Sequence, residues 1–155
     1  MKKNPYILSF SVEGSLENKY KVILKSSTGH TIIVDEPSEL GGEGIGPNPI
    51  ELFLASIAAC TAITLKLHAD RKRVKIDKIE VKVEGSFDLR GVLRIKGIEP
   101  GLEKIKVNLN IVGEDAEAIK ELVELTKRTF IVGSTVIRGT PINIEYKIAT
   151  QNKEN

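Results

Sequence analysis

One segment decides most of what this chain can become: NPIELFLASIAACTAITLKLHADRK, residues 48–72. Its start carries the marks of a helix N-terminus. Asn48 suits the cap, Pro49 the first helical position, and Glu51 stands three residues beyond the cap, as in a capping box. From Leu52 to Ile63 apolar residues fall on nearly every side, which predicts a helix buried on most of its faces. Beyond Thr64 it turns amphipathic, with Lys66, His68, Asp70 and Arg71 polar. A chain of 155 residues builds one ordinary core, and a single sheet covers one side of such a helix. A second copy of the chain would cover the other, so burial alone predicts an obligate homodimer.

The flanking sequence supplies the sheets. Residues 6–12, 20–25 and 31–34 alternate or are β-branched, and SSTGH (26–30) reads as a hairpin turn with Gly29 at its permissive position. DEPSELGGEGIGPNP (35–49) is a long irregular loop whose glycines fit neither a dinucleotide nor a P-loop pattern. KIDKIEVKVEGSF (75–87) is a half-buried strand, strictly alternating over 79–84. DLRGVLRIKGIEPG (88–101) reads as a hairpin or loop with a short strand, and LEKIKVNLNIVG (102–113) as a second clean strand. EDAEAIKELVELTKRT (114–129) is an amphipathic helix, lined by Ile119, Leu122, Val123 and Thr126, with acidic residues first and basic residues last. PINIEYKI (141–148) closes the chain as a strand. The order βββ, α, βββ, α, β predicts an α+β fold, antiparallel sheets around central helices. With no repeat or linker, residues 1–150 form one domain and 151–155 a polar C-terminal tail.

Charge and cysteine usage exclude several function classes. The net charge of +2 gives no field that would drive the chain to nucleic acid or an anionic membrane. RKRVK (71–75) reads as a solvated helix end, without the interleaved aromatics of a nucleic-acid site. The single cysteine, Cys60, forms no internal disulfide. Neither His30 nor His68 has companions at metal-ligand spacing, so no metal and no cofactor are expected. The opening MKKNPYILSF reads as a strand rather than a signal peptide. No uninterrupted apolar run reaches the ~18 residues of a membrane span. A cytoplasmic protein in a reducing compartment is expected.

Cys60 sits on a helical ridge with Ser56 and Thr64, flanked by Phe53, Ile57, Ile63 and Leu67. Glu51, nine residues earlier, points about 180° away, and His68 is ~12 Å along the axis. A nucleophilic thiolate needs positive charge or donors nearby, and the local neighbours offer hydroxyls only. On the residues alone, Cys60 is either a buried structural cysteine or a reactive thiol whose activating cation comes from elsewhere; Lys25, Arg90, Arg94 and Arg138 are the candidates. His30 and His68 read as surface residues.

The stretch DEPSELGGEGIGPNPIELFLASIAACTAITL, with its glycine-rich loop, G-P-x-P-x-E-L helix start and small-residue helix holding a cysteine, resembles the signature of the OsmC/Ohr superfamily of thiol-dependent hydroperoxide reductases. RTFIVGSTVIRGTPINIEY is similar to that family's second motif. The resemblance implies an OsmC-like fold in an intertwined homodimer, with two helices at its centre and sites near the interface. It also implies that Cys60 is the peroxidatic residue. Its thiolate would attack an organic or hydrogen peroxide to give a sulfenic acid, which a second cysteine and then an external dithiol would resolve. Three positions depart from the pattern. Phe130 occupies the resolving-cysteine position, as core packing or as a pocket wall facing Cys60. Ile50 replaces the family's first glutamate, with Glu51 matching the next position. No arginine precedes Arg71. The catalytic candidates are thus Cys60 and Glu51. Two functions follow: a one-cysteine peroxide reductase or sensor that uses an external thiol reductant, or a non-catalytic dimeric member that binds an apolar small molecule or partner, with Cys60 structural.

Overall fold

A computed structural model describes residues 4–147 of the chain. Strands β1 (Val12–Leu16), β2 (Val22–Ser26) and β3 (Thr31–Val34) form an antiparallel meander in the order β1-β2-β3. The β2–β3 hairpin closes as the sequence predicts: Gly29 adopts φ +90° and donates its N–H to the Ser26 carbonyl at 3.0 Å. A single turn of 3₁₀ helix (Ser38–Leu40) lies within the loop that leads to α1 (Pro49–Lys72). Helix α1 is followed by β4 (Ile76–Phe87), the short α2 (Leu89–Val92), β5 (Leu102–Gly113), α3 (Ala116–Thr129) and α4 (Ile131–Arg138).

Strands β4 and β5 pair antiparallel along their length, with Ile79 opposite Ile111, Val81 opposite Leu109 and Val83 opposite Val107. Their inward residues face the helices. On the outer face Glu80 accepts from Asn110 Nδ2 at 2.7 Å and Glu84 from Asn108 Nδ2 at 3.2 Å. The core lies where α1 and α3 meet this ribbon. Leu65 and Leu122 are fully buried together with Ala69, and Val74, Ile76, Ile79, Ile111 and Val123 pack around them. Helix α1 ends at Arg73, whose left-handed backbone (φ 57°) turns its N–H back to the Ala69 carbonyl.

The predicted helices of residues 48–72 and 114–129 and the strand of 102–113 form within a residue or two of expectation. Four expectations need correction. The first strand spans Val12–Leu16, not 6–12, because its pairing ends where Val12 meets Ser26 at the hairpin. Tyr6, Leu8 and Phe10 alternate but have no described strand beside them and stay exposed. Segment 88–101 holds a helical turn and no strand: the Asp88 carboxylate accepts the Arg90 N–H at 2.9 Å and so starts a helix. Residues 131–138 form the helix α4, and 141–147 are not a strand, since no described strand lies beside them. Ile142, Ile144 and Tyr146 are all exposed. Residue 148 and the 151–155 tail lie outside the described residues.

Fourth, α1 is not buried on most sides within one chain. Ile57, Thr61, Leu65 and Ala69 form one buried stripe, while Ile63 is 68% and Leu67 45% exposed on the opposite stripe. By length and composition alone, with mean hydropathy 1.8 over its apolar window, α1 could also cross a membrane. Its inner stripe is instead engaged by the β4–β5 ribbon and α3, as in the central helix of an α+β core.

Candidate functional site

The N-terminus of α1 is built as the sequence predicts. Asn48 Oδ1 accepts the Glu51 N–H at 2.8 Å, and a Glu51 carboxylate oxygen accepts the Asn48 N–H at 2.8 Å. Glu51 is therefore occupied with holding the helix start. It stands nine residues before Cys60, on the opposite side of the helix.

Cys60 lies about three turns into α1 and is half-buried. With Ser56, Ile63 and Leu67 it follows the i, i+4, i+7, i+11 spacing of a single stripe, the one turned away from the β4–β5 core. Its Sγ is 3.9 Å from Thr64 Oγ1, which realises the predicted ridge contact. The Ser56 hydroxyl donates to the Phe53 carbonyl at 2.6 Å.

The β1–β3 sheet faces the start of α1 on this side, as far as Ser56. Val22, Leu24 and Val34 face Pro49, Leu52, Phe53 and Ser56 across an open cavity of about 430 Å³. Ser56 is itself exposed, Cys60 one turn further on is half-buried, and Ile63 and Leu67 are exposed. A second cavity of about 460 Å³ opens on the other side of Phe53, with Ile50, Phe87, Val92, Leu102, Ile105 and Val136 among its apolar walls. Ile50 is thus part of a hydrocarbon wall.

The candidate cations are placed by the same geometry. Lys25 shares the outer face of its sheet with Glu13, Ser15 and Ile23, away from α1. Arg90 is held by Asp88 through Nε and Nη2 contacts of 2.6 to 3.1 Å. That ion pair holds the Asp88 carboxyl below its ordinary range. Arg138 donates Nε to the Ser134 carbonyl at 3.2 Å within α4, and Arg94 is exposed in the turn after α2. Among the described residues, the one polar side chain within hydrogen-bonding distance of the Cys60 sulfur is Thr64.

Phe130 joins α3 to α4. It lines a small cavity of about 100 Å³ with Thr61, Val107 and Val123, on the inner side of α1. Cys60, 100° further round the helix, is not among the walls of that cavity. His30 is exposed at its hairpin. His68 is half-buried and 2.7 Å from Thr129 Oγ1. Because that hydroxyl already donates to the Leu125 carbonyl at 2.8 Å, the His68 Nε2–H is the donor. Among the described residues no group of three or more His, Cys, Asp or Glu side chains could hold a metal ion.

Sequence reasoning missed Asp35. It is 1% exposed, and its carboxylate accepts N–H bonds from Glu36 and Glu43 at 2.9 Å and from Ile45 at 3.4 Å. Burial pushes its acidity weaker, but the N–H donors of Glu43, Ile45, Glu36 and Gly44 outweigh that and hold the carboxyl below its ordinary range. The available signal was an aspartate placed just before a glycine-rich loop that needs an internal acceptor.

The OsmC family (OsmC-like protein) matches residues 41–145 of this chain. An uncharacterized protein of Acinetobacter baylyi is 34% identical over 88 residues, 57% of this chain. The chain spans 57% of that relative's length. An OsmC-like protein of Mycoplasma pneumoniae superposes with a TM-score of 0.72 at 21% identity, over 86% of this chain and 89% of its own. An organic hydroperoxide resistance protein, OsmC, of Legionella pneumophila does so at 0.61 and 23% identity, over 86% and 91%. At these identities the solved structures speak for the fold.

Proposed function

The chain belongs to the OsmC-like protein family, and on that premise we propose that it is a one-cysteine hydroperoxide reductase or sensor acting through Cys60. The observation that carries this reading is the position of the thiol: half-buried on the open stripe of α1, one turn beyond Ser56, which lines an apolar cavity.

The Cys60 thiolate attacks the distal oxygen of an organic or hydrogen peroxide. The O–O bond breaks, sulfur gains one oxygen as a sulfenic acid, and the other oxygen leaves with a proton as an alcohol or water. Phe130 supplies no thiol to resolve it. An external thiol therefore condenses with the sulfenic acid, releasing water and leaving a mixed disulfide. A second external thiol displaces Cys60 as thiolate, so each peroxide consumes two thiols. A cytoplasmic setting supplies such thiols. Glu51 serves by fixing the start of the helix that carries the sulfur.

Two copies acting as a homodimer complete the site. Ile63 and Leu67, the alternating residues Tyr6, Leu8 and Phe10, and Ile142, Ile144 and Tyr146 are all exposed in the single chain, and bare apolar side chains in such number fit a covered interface. A second copy laid on α1 would cover that surface and bring its own side chains to Cys60.

Dimedone trapping tests the reading. One equivalent of cumene hydroperoxide should give a dimedone adduct on the peptide that contains Cys60, and none in Cys60→Ser. No adduct, with equal peroxide consumption by wild type and Cys60→Ser, would refute it. A second reading is favoured by the wholly apolar cavity of about 460 Å³ around Ile50, whose walls do not include Cys60. There the protein binds an apolar small molecule and Cys60 is structural. Saturable binding of an apolar fluorophore that Ile50→Asp abolishes, in a protein whose thiol ignores peroxide, would favour it.

A further inference from the structure

Five threonines stand on the described helices: Thr61 and Thr64 on α1, Thr126 and Thr129 on α3, and Thr135 on α4. A threonine inside a helix can turn its hydroxyl back to the carbonyl four residues earlier. Four of the five do so. Thr61 donates to the Ile57 carbonyl at 2.7 Å, Thr126 to Leu122 and Thr129 to Leu125 at 2.8 Å, and Thr135 to Ile131 at 2.9 Å. Ser56, one turn before Cys60, gives its proton in the same way to the Phe53 carbonyl. Thr64 is the exception. Among the described residues its hydroxyl has one hydrogen-bonding partner, the Cys60 Sγ at 3.9 Å, within the reach of a hydrogen bond to sulfur.

A hydroxyl has one proton to give and two lone pairs to accept with. In the other four threonines the proton is committed to a carbonyl and cannot serve a neighbouring side chain. The Thr64 proton is uncommitted, so this hydroxyl can work in both directions. Beside a neutral thiol its oxygen accepts the S–H. Beside a thiolate it turns its own proton onto the sulfur, while the thiol proton leaves to water. Thr64 and Cys60 are both half-buried, so water competes for the sulfur less than at an open surface. Among the described residues no charged side chain comes within hydrogen-bonding distance of that sulfur.

We propose that Thr64 is the hydrogen-bond donor that activates Cys60: its free hydroxyl turns to the sulfur as the thiolate forms, in the place a cation would otherwise take. An acceptor that gains charge draws a stronger hydrogen bond than a neutral one, so an uncommitted donor one helical turn away favours the charged sulfur. The role deepens the proposed chemistry at Cys60 and rests on it.

Alkylation of Cys60 by iodoacetamide in the full-length protein reads the thiolate with no peroxide present, so this role and the peroxide reaction can fail separately. Thr64→Val keeps the branched shape and loses the hydroxyl, whereas Thr64→Ser keeps the hydroxyl. A sulfur without its donor ionises less readily, but once ionised it is the stronger nucleophile. With a slope of about 0.4–0.5, a tenfold loss of thiolate is offset by a gain of about threefold in nucleophilicity. Thr64→Val should therefore alkylate about threefold more slowly than wild type at about pH 7, and no more slowly at about pH 10, where free thiols are ionised. Thr64→Ser should follow wild type at both. Thr64→Ala also lacks the hydroxyl, so it should repeat the valine result, and it decides the matter if the valine variant does not fold. Alkylation of Thr64→Val as fast as wild type at the lower pH would overturn the proposal. So would a loss of equal size at both pH values, which is the mark of blocked access rather than of a missing donor. If the pH-dependent loss appears while Cys60 gives no dimedone adduct, the role of the hydroxyl stands and the peroxide reading falls.

Discussion

Replacing Ile63 by aspartate puts the dimer reading to a quantitative test. Ile63 lies one turn beyond Cys60 on the open stripe, with 68% of its surface bare in the single chain. Burying an isoleucine side chain completely is worth about 1.5–3 kcal/mol, so covering the remaining two-thirds is worth about 1–2 kcal/mol per copy. A two-fold interface counts it twice, about 2–4 kcal/mol. A carboxylate in the same place adds a desolvation cost of several kcal/mol per copy. The sum, at least about 5 kcal/mol, corresponds to a dissociation constant raised more than about a thousandfold. If the stripe instead faces water, the change costs only a helix-propensity difference, less than about 0.7 kcal/mol. Sedimentation equilibrium across a range of concentrations reads the constant directly, with circular dichroism to show that the variant remains folded. Wild type should sediment as a dimer and Ile63→Asp as a folded monomer. A monomeric wild type, or a variant that dimerises as tightly as wild type, would refute the reasoning.

Three further outcomes follow from the same geometry. Leu65→Ala empties a fully buried position against Leu122 and should cost about 2–5 kcal/mol in urea denaturation. Glu51→Gln keeps an acceptor for the Asn48 N–H, so it should leave both stability and the rate of Cys60 oxidation within about a factor of two, whereas Asn48→Ala should cost about 0.5–2 kcal/mol; a large loss of oxidation rate in Glu51→Gln alone would give the carboxylate a direct part in the chemistry. Lys78 and then Asn110 hold the Glu80 carboxyl below its ordinary range, Lys82 does the same for Glu84, and Arg90 for Asp88. Groups lowered by folding stabilise the folded state above their unfolded values and lose that contribution as pH falls. The denaturation midpoint should therefore hold from neutrality to about pH 5 and decline below the unfolded carboxyl values near about 4, and a midpoint that rises on acidification would contradict these assignments.

Local signals in the sequence were read correctly where the structure depends on local chemistry. Asn48, Pro49 and Glu51 gave the start of α1 because the capping box is made by those residues alone. The alternation of 102–113 and the apolar stripe of α3 likewise carry their own partners' requirements. The expectations that failed depend on distant chain. Residues 6–10 and 141–147 alternate as strands do, but a strand also needs a neighbour, and the described chain offers none. The burial expected for α1 fails within one chain for the same reason: among the described residues, the second half of its other apolar face, at Ile63 and Leu67, has nothing packed on it. At the site, the ridge of Ser56, Cys60 and Thr64 was legible from helical periodicity, as was the poor aim of Glu51. The role of Asp35 was not, because its three N–H donors come from residues up to ten positions away and are brought together only by the folded loop. The segment after β4 was misread because the Asp88–Arg90 pairing turned an apolar, strand-like composition into a helix.

The account turns on whether the Cys60 sulfur accepts an oxygen atom from a hydroperoxide. Intact-mass spectrometry of the reduced protein, treated with one equivalent of cumene hydroperoxide, measures that transfer in a single turnover. The account predicts one added oxygen localised to Cys60, with an equal amount of cumyl alcohol formed and full reversal by two equivalents of a small thiol. An unchanged protein mass beside intact hydroperoxide would contradict it.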